Sequence, residues 1–237
     1  MVTARKYRPN KFSEVFGQES ITKALEKSIS NQMISQAYLF CGPRGVGKTT
    51  CARIFAKEIN NRDNSSKNQD YTYNIFELDA ASNNSVEDIR SLTDQVRIPP
   101  QNGTFKVYII DEVHMLSQSA FNAFLKTLEE PPSHAKFILA TTEKHKIIPT
   151  ILSRCQTFDF KRISIESIIE KLVDISKIEQ INYENEALRT IAKKSDGSMR
   201  DAMFMFDQLV TVTDKNLSLS EVNSPVSYTH LTLPTKR

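Results

Sequence analysis

Apolar residues fall into two alternating kinds of run along the chain. Five runs are short and β-rich: "AYLFC" (37–41), "NIFELD" (74–79), "KVYIID" (106–111), "KFILATT" (136–142) and "QTFDF" (156–160). Most are continuous rather than alternating, the mark of strands buried on both faces of a parallel sheet. Stretches with helical spacing lie between them. In "KTTCARIFAKEIN" the residues Ala52, Ile54, Phe55 and Ile59 gather near one side. "SVEDIRSLTDQV" opens on a serine and has Glu87 and Asp88 in its first turn, which suits a helix N-terminus. "SQSAFNAFLKTLEE" sets Phe121, Phe124, Leu125 and Leu128 at helical intervals and stops at Pro131-Pro132. Strands alternating with helices predict an α/β fold with a five-stranded parallel sheet.

Beyond about residue 162 the strand-like runs end. "SIESIIEKLVDISKIE", "NEALRTIAKKS" and "SMRDAMFMFDQLVTVT" predict three amphipathic helices, with Gly197 between the second and third. The pattern therefore divides the chain into an α/β domain (1–162) and a small all-helical domain (163–222). The polar, turn-rich "NNRDNSSKNQDY" (60–71) predicts a surface loop. Residues 223–237 predict a disordered tail. From residue 226 that tail, "VSYTHLTLPTKR", resembles translated sequencing adapter, so the natural protein is expected to be longer.

Composition narrows the classes little. Hydrophobic residues make up 39% and charged residues 25%, ordinary for a globular protein. The net charge is +3; without Lys236 and Arg237 of the tail it is +1, so nucleic acid would need a local basic patch. The apolar runs are too short to span a membrane, and "MVTARKYRPNKF" lacks the apolar core of a secretory signal. Cys41, Cys51 and Cys155 are isolated, with no zinc-site spacing, which points to a reducing cytoplasm.

Chemistry enters with "GPRGVGKT", Gly42 to Thr49, which fits G-x-x-x-x-G-K-[ST] between a predicted strand and a predicted helix. In such a loop, glycines let backbone N–H groups wrap phosphates, and the helix N-terminus adds partial positive charge. Lys48 would reach the β- and γ-phosphates, and the Thr49 hydroxyl would ligate Mg²⁺. The nucleotide contacts are expected from Gly42, Pro43, Arg44, Gly45, Val46, Gly47, Lys48, Thr49 and the following Thr50. "VYIIDEVH" ends a strand in Asp111-Glu112, where α/β sheets bind ligands. Asp111 would hold Mg²⁺ directly or through water, and Glu112 would polarise the attacking water. An acidic pair after a strand is commonly a solvated turn, but the upstream loop favours the site. Thr141 or Thr142, in "ATTE", would touch the γ-phosphate or its water.

Six segments, "KYRP", "GPRGVGKTT", "ELDAASNNSVEDIR", "YIIDEVHMLSQSAFNAFLKTLEEPP", "ATTEKHKIIPTILSRC" and "GSMRDA", together resemble the gamma/tau family of bacterial DNA polymerase III subunits. These are the motor subunits of the sliding-clamp loader, AAA+ ATPases, and the likeness runs in order over residues 2–222. It implies ATP and Mg²⁺ bound between the sheet domain and a helical lid. It implies that Arg154 of "SRC" reaches a neighbour's ATP in catalysis, and that Arg200 contacts the nucleotide from the lid of its own subunit. Tyr7, Arg8 and Pro9 would lie near the adenine. The implied partners are other loader subunits in a ring, the sliding clamp and primer–template DNA bound without sequence preference, with Arg90 a candidate DNA contact. Other roles stay open: Arg154 as a helix cap or the partner of an acid, Arg200 as the partner of Asp196 or Asp201.

Two departures matter. Many family members carry a four-cysteine zinc module after the helix that follows the loop, where this chain has no cysteine, so no zinc is expected. The family also continues into a ring-forming collar that this sequence does not reach. Two rival readings remain. A helicase would need a second motor domain or pore loops. A non-hydrolysing structural loader subunit would have degenerate motifs, whereas Lys48, Thr49, Asp111 and Glu112 are all intact.

Overall fold

A computed structural model describes residues 3–61, 71–101, 103–213 and 215–222. The adapter-like tail and most of the 60–71 loop lie outside the described residues. Helices α1 (Thr3–Lys6) and α2 (Glu19–Ser30) come first. Strand β1 (Ala37–Cys41), α3 (Lys48–Asn60), β2 (Ile75–Asp79), α4 (Val86–Val96), β3 (Lys106–Asp111), α5 (Gln118–Glu129), β4 (Ala135–Thr141), α6 (Pro149–Leu152) and β5 (Gln156–Asp159) follow. The five strands form one parallel sheet in the order β2-β3-β4-β1-β5.

The sheet is covered on both faces, as continuous apolar strands require. Along β1, Leu39 and Cys41 face a core closed by α4 and α5, while Tyr38 and Phe40 face a second core closed by α2 and α3. Every residue of β1 and β4 is buried. Strands β2 and β5 lie at the sheet edges and are only partly buried, so their similar apolar runs do a different job. Helix α4 starts where its sequence says it should. Ser85 Oγ accepts from the Asp88 N–H at 3.2 Å, and the Asp88 carboxylate accepts from the Ser85 N–H at 3.2 Å, a reciprocal capping box.

Helix α2 is missing from the pattern reading. Its signal is there, Ile21, Leu25 and Ile29 at four-residue intervals, but the flanking polar residues hide it. Residues 165–222 build the lid: α7 (Ile165–Glu179), α8 (Asn185–Lys194), α9 (Met199–Val212) and α10 (Leu219–Val222), around a core that includes Leu172, Leu188, Phe206 and Leu209. The lid is not wholly helical. Strands β6 (Asn182–Tyr183) and β7 (Asn216–Leu217) pair in parallel. Two-residue strands have no periodicity to detect. The first residues of the chain dock on this lid. Thr3 donates from its backbone N–H and its hydroxyl to the Asp207 carboxylate, and Lys6 and the Tyr7 hydroxyl bond Glu179.

Candidate nucleotide site

The loop from Gly42 to Gly47 joins the end of β1 to the start of α3. Gly47, at the helix N-cap, has φ +105°, and a Cβ built there would meet nothing within 4 Å. The backbone thus curls around open space, a cradle that a side chain would fill. Gly45 has φ +76°, and a Cβ there would stand 2.0 Å from Ser198 Oγ. The loop is pressed that closely against the lid. The Met199 and Arg200 N–H groups, at the start of α9, donate to Gly45 O at 3.1 and 3.4 Å.

Lys48 is buried, with its ammonium donating to Gly42 O and Pro43 O at 2.8 Å each. Burial lowers its pKa; Glu112 and Asp111 pull it back up, and nearby Arg200 adds to the lowering. Thr49 Oγ1 donates to Asp111 Oδ2 at 2.6 Å. The two halves of the motif, 62 residues apart in sequence, therefore meet. Glu112 has φ +49°, a left-handed conformation that costs a non-glycine residue on the order of 1 kcal/mol or more. Its N–H donates to Asp111 Oδ1 at 3.0 Å, and its Oε2 accepts from Thr142 Oγ1 at 2.9 Å and the Thr142 N–H at 3.3 Å.

These groups open on a cleft of about 650 Å³ between sheet and lid. Tyr7, Arg8, Pro9, residues 44–50, Asp111, Glu112 and Arg200 line it. So do Phe16, Lys171, Met203 and Phe204, which sequence reasoning missed. The Lys171 ammonium stands 5.2 Å from the centroid of the Phe16 ring. No local signal marks these residues, because only the meeting of the segment before α2 with α7 and α9 puts them on one wall. Gly42, Pro43 and Thr142 stand behind the lining: the first two hold Lys48 and the third holds Glu112. Thr141 differs from Thr142, as its hydroxyl lies 3.0 Å from His114 Nδ1.

Arg200 is exposed over the cleft and makes no ion pair among the described residues. Asp196, an alternative partner from sequence, pairs with Arg162 instead. Arg154 is not among the cleft-lining residues. Its Nη1 donates to Thr150 O at 2.8 Å and its Nη2 pairs with Glu129 at 3.0 Å, both at the surface. Arg90 is exposed on α4. Cys41 and Cys51 are buried, and Cys155, in the turn before an edge strand, is half-buried. Burial pushes the Cys41 thiol to about 11 and those of Cys51 and Cys155 to about 12.

Among the described residues no three or more His, Cys, Asp or Glu side chains form a metal cluster. Thr49 beside Asp111 is nonetheless a donor set that suits magnesium, which characteristically takes one or two protein oxygens and completes its shell with phosphates and water. No helix among the described residues is long and apolar enough to cross a membrane.

Residues 17–164 match the family described as "DNA polymerase III, delta subunit", and residues 167–215 match "DNA polymerase III clamp loader subunit, ATPase lid domain". The chain is 48% identical over 229 residues to the DNA polymerase III subunit tau of Bacillus subtilis (strain 168), covering 92% of this chain and 41% of that protein. With the subunit tau of Escherichia coli (strain K12) it shares 46% over 235 residues, 94% of this chain and 36% of that one. The chain belongs to the DNA polymerase III gamma/tau family. Gamma subunits are similar too: that of Buchnera aphidicola subsp. Baizongia pistaciae (strain Bp) is 44% identical over 229 residues, 92% of this chain and 62% of its own length. This gamma/tau-family chain thus spans about two fifths of the tau relatives it matches. Among solved structures it is similar to the Thermotoga maritima RuvB Holliday junction branch migration motor, with a TM-score of 0.72, 21% identity, and coverage of 91% of this chain and 70% of that one. That likeness identifies the AAA+ fold.

Proposed function

We propose that this gamma/tau-family chain carries the ATP-binding and hydrolysing site of a clamp-loader motor subunit, which loads the sliding clamp on primed DNA. The observation that carries the reading is the 2.6 Å bond from Thr49 to Asp111, beside a buried Lys48 and an acidic Glu112. Lys48 is held at the centre of the loop by two backbone carbonyls, which its ammonium exchanges for β- and γ-phosphate oxygens when ATP arrives. Tyr7, Arg8 and Pro9 flank the adenine end, and Arg200 leans over the phosphates from α9. Thr49 and Asp111 would hold magnesium, which when bound would neutralise charge at the phosphates. Glu112 takes the proton of the water whose oxygen bonds the γ-phosphorus as the bond to ADP breaks.

Arg154 plays no part at its own chain's cleft in this reading. It serves the site of a neighbouring subunit in a ring and stabilises charge on the transferring phosphoryl group. The sliding clamp and primer–template DNA are the further partners, with DNA held by phosphate contacts that carry no sequence preference. The site asks for no zinc, and the work belongs to the cytoplasm.

Titrating the purified chain with a fluorescent ATP analogue and magnesium tests the core of the reading. Saturable binding is expected, and Lys48→Ala should weaken it on the order of 10²-fold or more, since a buried cation facing two phosphates is lost. Unchanged affinity in that variant overturns the assignment.

A further inference from the structure

His114 follows Glu112 by two residues, and its side chain is only 6% exposed. Its Nδ1 lies 3.0 Å from Thr141 Oγ1 and 3.4 Å from Glu112 Oε2. Its Nε2 lies 3.0 Å from Glu143 Oε2. Glu143 is fixed in turn, because its N–H donates to Thr141 Oγ1 at 3.0 Å and its carboxylate pairs with Lys146 at 2.8 Å. The ring thus bridges the turn after β3 and the turn after β4, with a carboxylate at each nitrogen.

The two oxygens of Glu112 are treated differently. Oε2 takes both Thr142 donors and lies against His114. Oε1 has no hydrogen-bond partner among the described residues, on a side chain that lines the cleft. A carboxylate anchored through one oxygen has the other oriented for a reacting water, and positioning of that kind is a large part of what a site contributes to rate.

We propose that His114 is a positioning residue for the hydrolysis: wedged between Glu112 and Glu143 and bonded to Thr141, it keeps Glu112 Oε2 against Thr142 and leaves Oε1 for the attacking water. The inference rests on the role given above to Glu112. It makes His114 important for turnover and unimportant for nucleotide affinity, because the ring does not line the cleft.

The test uses full-length subunits assembled into the loader with clamp and primed DNA, measuring kcat, the affinity for an ATP analogue and the melting midpoint. His114→Ala should lower kcat by about 10- to 10²-fold with affinity held within about twofold. His114→Asn, which keeps a polar group near the Nδ1 position, should recover most of kcat. His114→Gln, which reaches only toward Glu143, should not. Combined with Glu112→Gln, His114→Ala should add no further loss, as residues acting through one group are not additive. Unchanged kcat in His114→Ala, equal losses in rate and affinity, or additive losses in the double variant overturn the inference. Should His114→Ala not fold, Asn against Gln decides, and equal rates in the two overturn it. Hydrolysis untouched by Glu112→Gln alone overturns the reading of Glu112 and the inference with it, whereas a slow Glu112→Gln beside a normal His114→Ala removes the inference only.

Discussion

Lys48 at the cleft floor and Arg154 at the outer edge are both cations assigned to phosphate chemistry, yet their surroundings are opposite. Lys48 is buried, bonded to two carbonyls of its own loop and flanked by Asp111 and Glu112. Arg154 is exposed and held by Thr150 O and by Glu129, itself half in solvent. A group that must work in its own chain is built in, at the cost of desolvating its charge. A group that must work elsewhere has to stay at the surface, lightly tethered. The contrast fits the roles proposed for each: one site nearly complete within the chain, and another that would form only where two chains meet.

The largest effect that could break this contrast lies in turnover by an assembled ring. Arg154→Ala should bind ATP normally and hydrolyse it more slowly by up to about 10³-fold, since trans arginines reach at least that in strong cases. Mixing Arg154→Ala subunits with Glu112→Gln subunits separates the two geometries. Mixed rings contain some sites with both groups intact, so activity should rise above either parent. Activity that stays at the parental level, in rings shown to be mixed, means that Arg154 acts within its own chain or is structural.

Arg200 should fall between the two cations. It is exposed like Arg154 but leans over the same cleft as Lys48. Arg200→Ala should weaken the ATP analogue by about 10- to 10²-fold, the worth of one charge-assisted contact, and equilibrium titration of the single chain suffices to see it. Affinity that does not move would leave Lys48 the main cation of the site.

Stability supplies the next distinction. Gly45→Ala places a Cβ against Ser198 in a left-handed backbone, so it should cost about 1–3 kcal/mol and lower the melting midpoint by several degrees. Gly47→Ala, with open space around its Cβ, should cost less stability and more nucleotide affinity. If the two melt alike, the loop is not held against the lid in solution. The smallest effect belongs to the tether at the edge. Glu129→Ala removes an exposed ion pair and should change stability by less than about 1 kcal/mol, a shift at the margin of calorimetry. A larger drop would mean that Arg154 is a structural residue after all.

Sequence alone decided whatever depends on near neighbours in the chain. Short continuous apolar runs gave the five strands, because a strand covered on both faces buries successive residues, and the 3.6-residue period gave the helices from α3 to α9, apart from short α6. Glycine spacing gave the loop around Lys48, since a backbone at positive φ needs glycine at fixed offsets. Ser85 and Asp88 gave the start of α4 in the same way. Only the tertiary structure decided the strand order, and with it which apolar runs became edges and that Asp111 would stand 2.6 Å from Thr49. It alone put Phe16 and Lys171 on a wall of the cleft, paired Asn182 with Asn216, docked Thr3 and Tyr7 on the lid, and set His114 between Glu112 and Glu143. Each of those contacts joins side chains whose own positions are fixed by packing elsewhere. Burying the two faces of the sheet and the lid core set the distances between elements, and the local pattern carries no record of them.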